Sequence, residues 1–212
     1  GLGINGHEME TTVYSLMVGH NRELKTSDVI CHTYHPNLDV LPANIDLSAA
    51  ELQLVNEVAR ESILARILSQ VEDDYDLIVV DCQPSLGLLT INALTAAHGV
   101  IIPVATEFFA LRGVALLMET INTVRDRLNP KLQLDGILTT MVDARTLHSK
   151  EVRDRLLEAF QDKIFTTYIK RTVRFPDSTV ATKPITEYAP SHEGAAAYRR
   201  LAREVIAKGY VA

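Results

Sequence analysis

Tryptophan is absent from the 212 residues, and aromatic side chains of all kinds make up only 6%. Cysteine is nearly absent too. The two thiols, Cys31 and Cys82, cannot make a disulfide framework, and a reducing cytoplasm is the simple reading. No run of eighteen apolar residues occurs, so no membrane-spanning helix is expected. Positive charge is in deficit: the formal net charge is −6, which argues against a chain coated in basic residues while leaving room for a local patch. The dipeptide Gly-Lys does not occur anywhere. That removes the phosphate-binding loop G-x-x-x-x-G-K-Ser/Thr. Glycines at positions 1, 3 and 6 follow no strand, so they are a very weak dinucleotide fingerprint. Cys31, His32 and His35 stand close together, but no second pair of ligands accompanies them, and a zinc site is not expected.

What is present alternates. "LIVVD" (77–81) reads as a short buried strand, "SLGLLTINALTAA" (85–97) as a helix and "GVIIPVA" (99–105) as a second strand. A long amphipathic helix is expected over 110–128, a third strand over 134–142 and a helix over 149–160. A fourth strand over 163–169 and a closing helix over 194–209 complete the pattern. The first seventy residues are less regular, with a helix at 11–19, a short strand in 38–43 and one or two helices in 46–73, capped by Asp46 or Ser48. Strand–helix alternation predicts an α/β fold with a mainly parallel sheet and helices on both faces, as a single domain. Ligands of such sheets bind past the carboxyl ends of strands. The windows to inspect are Asp81–Ser85, Thr106–Phe109, Asp143–Leu147 and Lys170–Ser178.

Asp81, an acid delivered by four apolar residues, has the form of a magnesium-shell ligand, the Walker B pattern, or of a helix cap. Met141 and Asp143 leave the third strand in "TTMVDAR", where methionine could pack on a flat ring and aspartate read a base edge; a plain turn is the alternative. Lys170, Arg171 and Arg174 make a dense basic spot that suits phosphate or is ordinary surface charge.

Taken in order, four stretches resemble one family: "YDLIVVDCQPSLGLLTINALTAA" (75–97), "VIIPVATEFFALRGVALLMETI" (100–121), "LDGILTTMVDART" (134–146) and "RTVRFPDSTVATKPITEYAPSHEGAAAYRRLAREV" (171–205). They look like the ParA/Soj chromosome- and plasmid-partition ATPases, deviant-Walker P-loop proteins grouped with MinD. "LDVLPANIDLSAAELQLV" (38–55) is similar to the family's middle region. "GLGI" at Gly1–Ile4 is similar to a segment that follows the family's KGGxGKTT loop and second strand, so the given chain is expected to lack its first strands and Walker A loop.

The resemblance implies a P-loop NTPase fold and binding of ATP with Mg2+. It assigns Asp81 to the magnesium shell through water. Pro84 and Ser85 correspond to the following switch segment, where Gln83 replaces the first proline of the usual D-C-P-P-S. Met141 and Asp143 correspond to the adenine-lining stretch. Arg145 and Arg174 correspond to arginines that bind DNA non-specifically once ATP has joined two subunits. A homodimer, a ParB-like activator and a cytoplasmic, nucleoid-associated life are implied. Stable membrane association of the MinD kind is not, because "IAKGYVA" (206–212) is a short, weakly basic tail. A non-catalytic interaction protein on the same scaffold is the other alternative. Lacking the loop lysine, these 212 residues are expected to release no phosphate from ATP above background in a magnesium-dependent colorimetric assay. Brisk turnover would contradict that expectation.

Overall fold

A computed structural model describes residues 2–19, 23–107, 110–143 and 145–209. Its contacts divide the chain into two compact units. The amino unit comprises Leu2–Ala97 with Thr123–Lys131, and the carboxy unit comprises His98–Asn122 with the chain from Leu132 onward.

The amino unit is built from short helices: α1 (Val13–Val18), α2 (Thr26–Val29), α3 (Leu47–Gln53), α4 (Ile63–Leu68) and α5 (Leu88–Ala96), with a small antiparallel pair, β1 (Cys31–His32) and β2 (Asp39–Val40). Helices this short are not stable alone; they persist because each buries an apolar face. Val13 and Met17 of α1, Ala50 of α3, Leu54, and Ile63, Leu64 and Ile67 of α4 pack with Ala93 of α5. Asn92 supplies a cap that Ser62 does not. Its side-chain oxygen accepts the Leu64 N–H at 3.0 Å, and its amide donates to Arg60 O at 2.8 Å and Leu88 O at 3.0 Å. One fully buried amide thus satisfies polar groups of two helices. The β1–β2 pair is tied outward through Asp39, which pairs with His32 Nδ1 at 2.8 Å and accepts the Tyr75 hydroxyl at 2.9 Å.

The expected strand at 77–81 is not formed. Residues 77–81 carry no strand assignment, and no described residue pairs with them in a ladder. Leu77 and Val79 are 50% and 79% exposed. Branched apolar residues favour strand only where a neighbour supplies ladder bonds and cover, and neither reaches this run. Of the two expected caps of α3, Asp46 is itself in helical conformation and makes no capping bond, and Ser48 lies inside the helix.

The carboxy unit contains β3 (Gly99–Ala105), α6 (Ala110–Arg127, of which the residues to Asn122 belong here), β4 (Gln133–Thr140), α7 (Leu147–Phe160), α8 (Arg174–Val180), α9 (Ile185–Tyr188) and α10 (Glu193–Ala207). β3 and β4 are parallel, as the strand–helix–strand pattern predicts, with Ile102 opposite Ile137 and Ala105 opposite Thr140. Asp135 is the extra residue where the register slips. The expected fourth strand follows the other edge of β4 but bonds only intermittently: Phe165 N–H donates to Ile137 O at 3.0 Å and Ile169 N–H to Thr139 O at 2.9 Å.

Phe165 anchors this layer, packing with Leu138, Ile169 and Ala197 while the Lys208 ammonium lies 4.4 Å from its ring centre. Gly136 makes room for it, because a Cβ there would stand 2.5 Å from the ring. α10 is clipped to the same segment by Glu204, whose carboxylate accepts the N–H groups of Thr166 and Thr167 at 2.7 and 3.0 Å. Helix α8 was not expected, since 169–178 reads as a loop. Pro176 is tolerated there because it falls in the first turn, where an N–H has no helical partner anyway. Replacing Phe165, 1% exposed, with alanine is expected to destabilise the unit by about 3–5 kcal/mol, read as a lower urea midpoint.

Candidate functional site

Each unit presents one group of the residues singled out above. In the amino unit Asp81 is exposed, and its carboxylate makes no hydrogen bond or ion pair among the described residues. The segment after it is held by side chains. Ser85 N–H donates to Gln83 O at 2.8 Å, and Gln83 Nε2 donates to Ser85 Oγ at 2.9 Å. Thr90 Oγ1 donates to Ser85 O at 2.6 Å. Glu51, reaching from α3, accepts the Leu89 N–H at 3.4 Å and so caps α5, whose N-cap residue, Gly87, has no side chain to do so. A Cβ on Gly87 would stand 2.1 Å from Glu51 Oε1, so glycine there and the carboxylate are complementary. Pro84 is exposed and lies within this turn.

In the carboxy unit the ends of β3 and β4 are joined by hydroxyls. Ser149, in the first turn of α7, donates through Oγ to Thr106 Oγ1 at 2.8 Å. Thr106 donates to Met141 O at 3.3 Å, and Ser149 Oγ accepts the Asp143 N–H at 3.2 Å. Both hydroxyl residues are buried. Thr146 caps α7, its side chain accepting the Ser149 N–H, which places Ser149 under the loop. The chain turns at Met141 with a left-handed φ of 53°, leaving that side chain about half exposed. On this fixed backbone Asp143 and Arg145 form a two-pronged pair: Nε to Oδ1 at 2.9 Å and Nη2 to Oδ2 at 2.8 Å, with the Arg145 N–H also donating to Oδ1 at 3.1 Å. These bonds hold the Asp143 carboxyl down to about 2, the Arg145 side chain first, then its backbone N–H, with the charges of Arg145 and Arg171 adding to them.

Arg174 is the first residue of α8, not a loop residue. Its backbone N–H donates to Thr172 Oγ1 at 3.2 Å and its guanidinium meets Asp177 at 3.6 Å. Lys170 pairs with Glu193 at 2.7 Å and Arg171 with Glu107 at 3.5 Å. Met141, Asp143 and Arg145 therefore form one constellation. Arg174 is bonded to none of them. Phe108, Phe109, Ala144 and the tail from Tyr210 lie outside the described residues. Glu51, Thr106 and Ser149 were not singled out by motif. Thr106 was within reach, as the residue just past β3, and Ser149 as the third residue after a capping threonine. A cleft of about 480 Å³ along β3 and the first turns of α6 is apolar apart from Glu107 and meets none of these groups but that one.

Comparison with known proteins bears on the family. Residues 1–134 match the AAA_31 family, described as an AAA domain. An uncharacterized protein of Mycobacterium tuberculosis is 54% identical over 97% of this chain and 64% of its own length. The sporulation initiation inhibitor protein Soj of Bacillus subtilis is 44% identical over 99% of this chain and 81% of its own. A solved structure from Mycobacterium smegmatis, described as cobyrinic acid a,c-diamide synthase with bound ADP and magnesium, is 34% identical, covers 97% of this chain and 75% of that one, and superposes with a TM-score of 0.80. The chain belongs to the ParA/Soj-like P-loop ATPase family, within the AAA_31 domain. It spans 64% of the length of the mycobacterial relative.

Because the Asp143 carboxyl is depressed, the stability that it contributes is complete above the ordinary carboxylate range and is lost as the pH falls toward 2. Carboxyl NMR titration should place its midpoint near 2. Arg145→Ala should return it toward about 3.9, and an unchanged midpoint would show that the pair is not the cause.

Proposed function

We propose that the protein is a partition-type ATPase in which ATP and Mg2+ join two copies, the dimer binds DNA without sequence preference, and a ParB-like partner stimulates hydrolysis. The likeness to Soj across 99% of the chain carries this reading. In it, Asp81, Pro84, Ser85, Met141 and Asp143 serve the nucleotide and its metal, and Arg145 and Arg174 serve DNA. The protein would work in the cytoplasm, on the nucleoid. Among the described residues no helix is long and apolar enough to cross a membrane.

The residues present suit the implied ion. Asp81 offers a hard, unpartnered carboxylate oxygen, and magnesium is commonly held by one or two carboxylates with waters and substrate phosphates. When bound, the ion would neutralise developing phosphate charge. The Gln83–Ser85 bonds and the Glu51 cap would keep the adjoining turn in one conformation. Met141 has a half-exposed, polarizable side chain on a residue whose carbonyl accepts the Thr106 hydroxyl, which suits the face of a base.

Arg174→Ala should weaken binding to two unrelated DNA duplexes equally, and reduce the slope of log K against log salt by about 0.9 for each subunit of the dimer. Fluorescence anisotropy across a salt series measures both. Unchanged affinity and slope would remove Arg174 from the DNA surface.

A further inference from the structure

Three large apolar side chains stand in water on one short stretch of the amino unit. Leu52 is 81% exposed, Val55 48% and Val58 88%. Leu52 belongs to α3, and Val55 follows it in the single turn of helix Leu54–Asn56. Ala50 and Leu54, four residues apart, are buried in the core of the unit. Leu52 and Val55, three apart, therefore share the opposite side. Val58 is held out by a strained turn. Ala59 beside it has a left-handed φ of 55°, uncommon for a residue with a Cβ, and the Arg60 guanidinium fixes the turn by donating to Val55 O. Single exposed valines and leucines are ordinary, but three on one fixed stretch make a patch.

The charge around this patch has one sign. Arg60 is the one cation from Asn44 to Ala65, and its Nε is taken by Glu61 at 3.0 Å. Glu51 reaches away to the Leu89 N–H and to Gln83 Nε2, both at 3.4 Å. Glu57, between Val55 and Val58, is exposed, and its carboxylate makes no hydrogen bond or ion pair among the described residues.

We infer that this patch docks a partner protein through a short amphipathic segment, whose apolar side chains cover Leu52, Val55 and Val58 and whose lysines or arginines meet Glu57. Neither nucleotide nor DNA enters this inference, so it goes beyond the function proposed above. Charge and area choose the occupant. An acidic surface repels nucleic acid and anionic lipid alike. Two copies meeting through the same patch would bring their Glu57 carboxylates together. One leucine and two valines also offer far less than the about 800 Å² per partner that a stable dimer buries. Recognition of a short peptide helix, by contrast, rests on a few apolar anchors of this kind.

The 212-residue chain and three dye-labelled peptides, blocked at both ends, test this by fluorescence anisotropy. The first peptide carries leucine and lysine at helical spacing, the second has glutamate for each lysine, and the third is a scramble of the first. The first should bind at least about tenfold more tightly than the other two. Leu52→Ser combined with Val58→Ser should weaken it about tenfold or more, because covering even one such side chain is worth that much. Glu57→Gln should weaken it about threefold at low salt and leave it unchanged at high salt. The inference is overturned if the first peptide does not bind, or if the scramble or the glutamate peptide binds as well. It is overturned equally if the double substitution leaves binding intact, which is attraction of net charge alone. Sedimentation that finds a dimer of the chain, dissolved by the same double substitution, would make a second copy the occupant and overturn it too. Both side chains are on the surface, so the circular dichroism should not change.

Discussion

Hydrogen bonding on both edges of β4 is the constraint from which the carboxy unit follows. One edge runs in register with β3 and the other accepts N–H groups from Phe165 and Ile169. Since β3 and β4 are parallel, the chain must leave each at the same end of the layer, which brings Thr106 and Met141 side by side. The buried hydroxyl of Ser149 then closes the gap between them. The loop that carries Asp143 is fixed by this contact, and the side chains on it stay in water.

The amino unit solves a similar problem by a different route. Its helices are too short to stand alone and have few local caps, so polar groups from one helix complete another. Asn92 does this for α4, and Glu51 does it for α5. The second case matters for function, because α5 begins where the turn after Asp81 ends. Glu51 ties that turn to α3, and the absence of a side chain at Gly87 is what admits the carboxylate.

Much of this was legible in the residues. β3 falls at 99–105 as the apolar run around Pro103 indicates, and α7, α10 and β4 lie within two residues of their expected bounds. The helices are found by a buried face that recurs against a polar one, and β3 and β4 by short continuous apolar runs; in β4 four consecutive residues are buried. Pattern reading misplaces 77–81 because a run of Leu, Ile and Val states a preference for burial and cannot state whether a partner strand is there to provide it. It misses α8 because seven residues containing a proline look like a loop until the proline is placed in the first turn. The motif matches located Asp81, Met141, Asp143, Arg145 and Arg174 one by one. They could not show that Asp143 and Arg145 hold each other, since sequence proximity of an acid and a base is commonplace and a three-bond fork is a matter of angles. Ser149 and Thr106 are ordinary hydroxyl residues, and only the fold makes them neighbours.

Self-neutralisation at the strand ends also has a kinetic side. Long-range attraction depends on uncompensated charge, and Arg145, Lys170, Arg171 and Arg174 each have a carboxylate within 4 Å on a chain of net charge −6. From a Debye length away such a surface offers a polyanion little pull. Encounter would therefore run at the unsteered rate, and discrimination would come after contact, in how long a complex lasts and not in how often it forms.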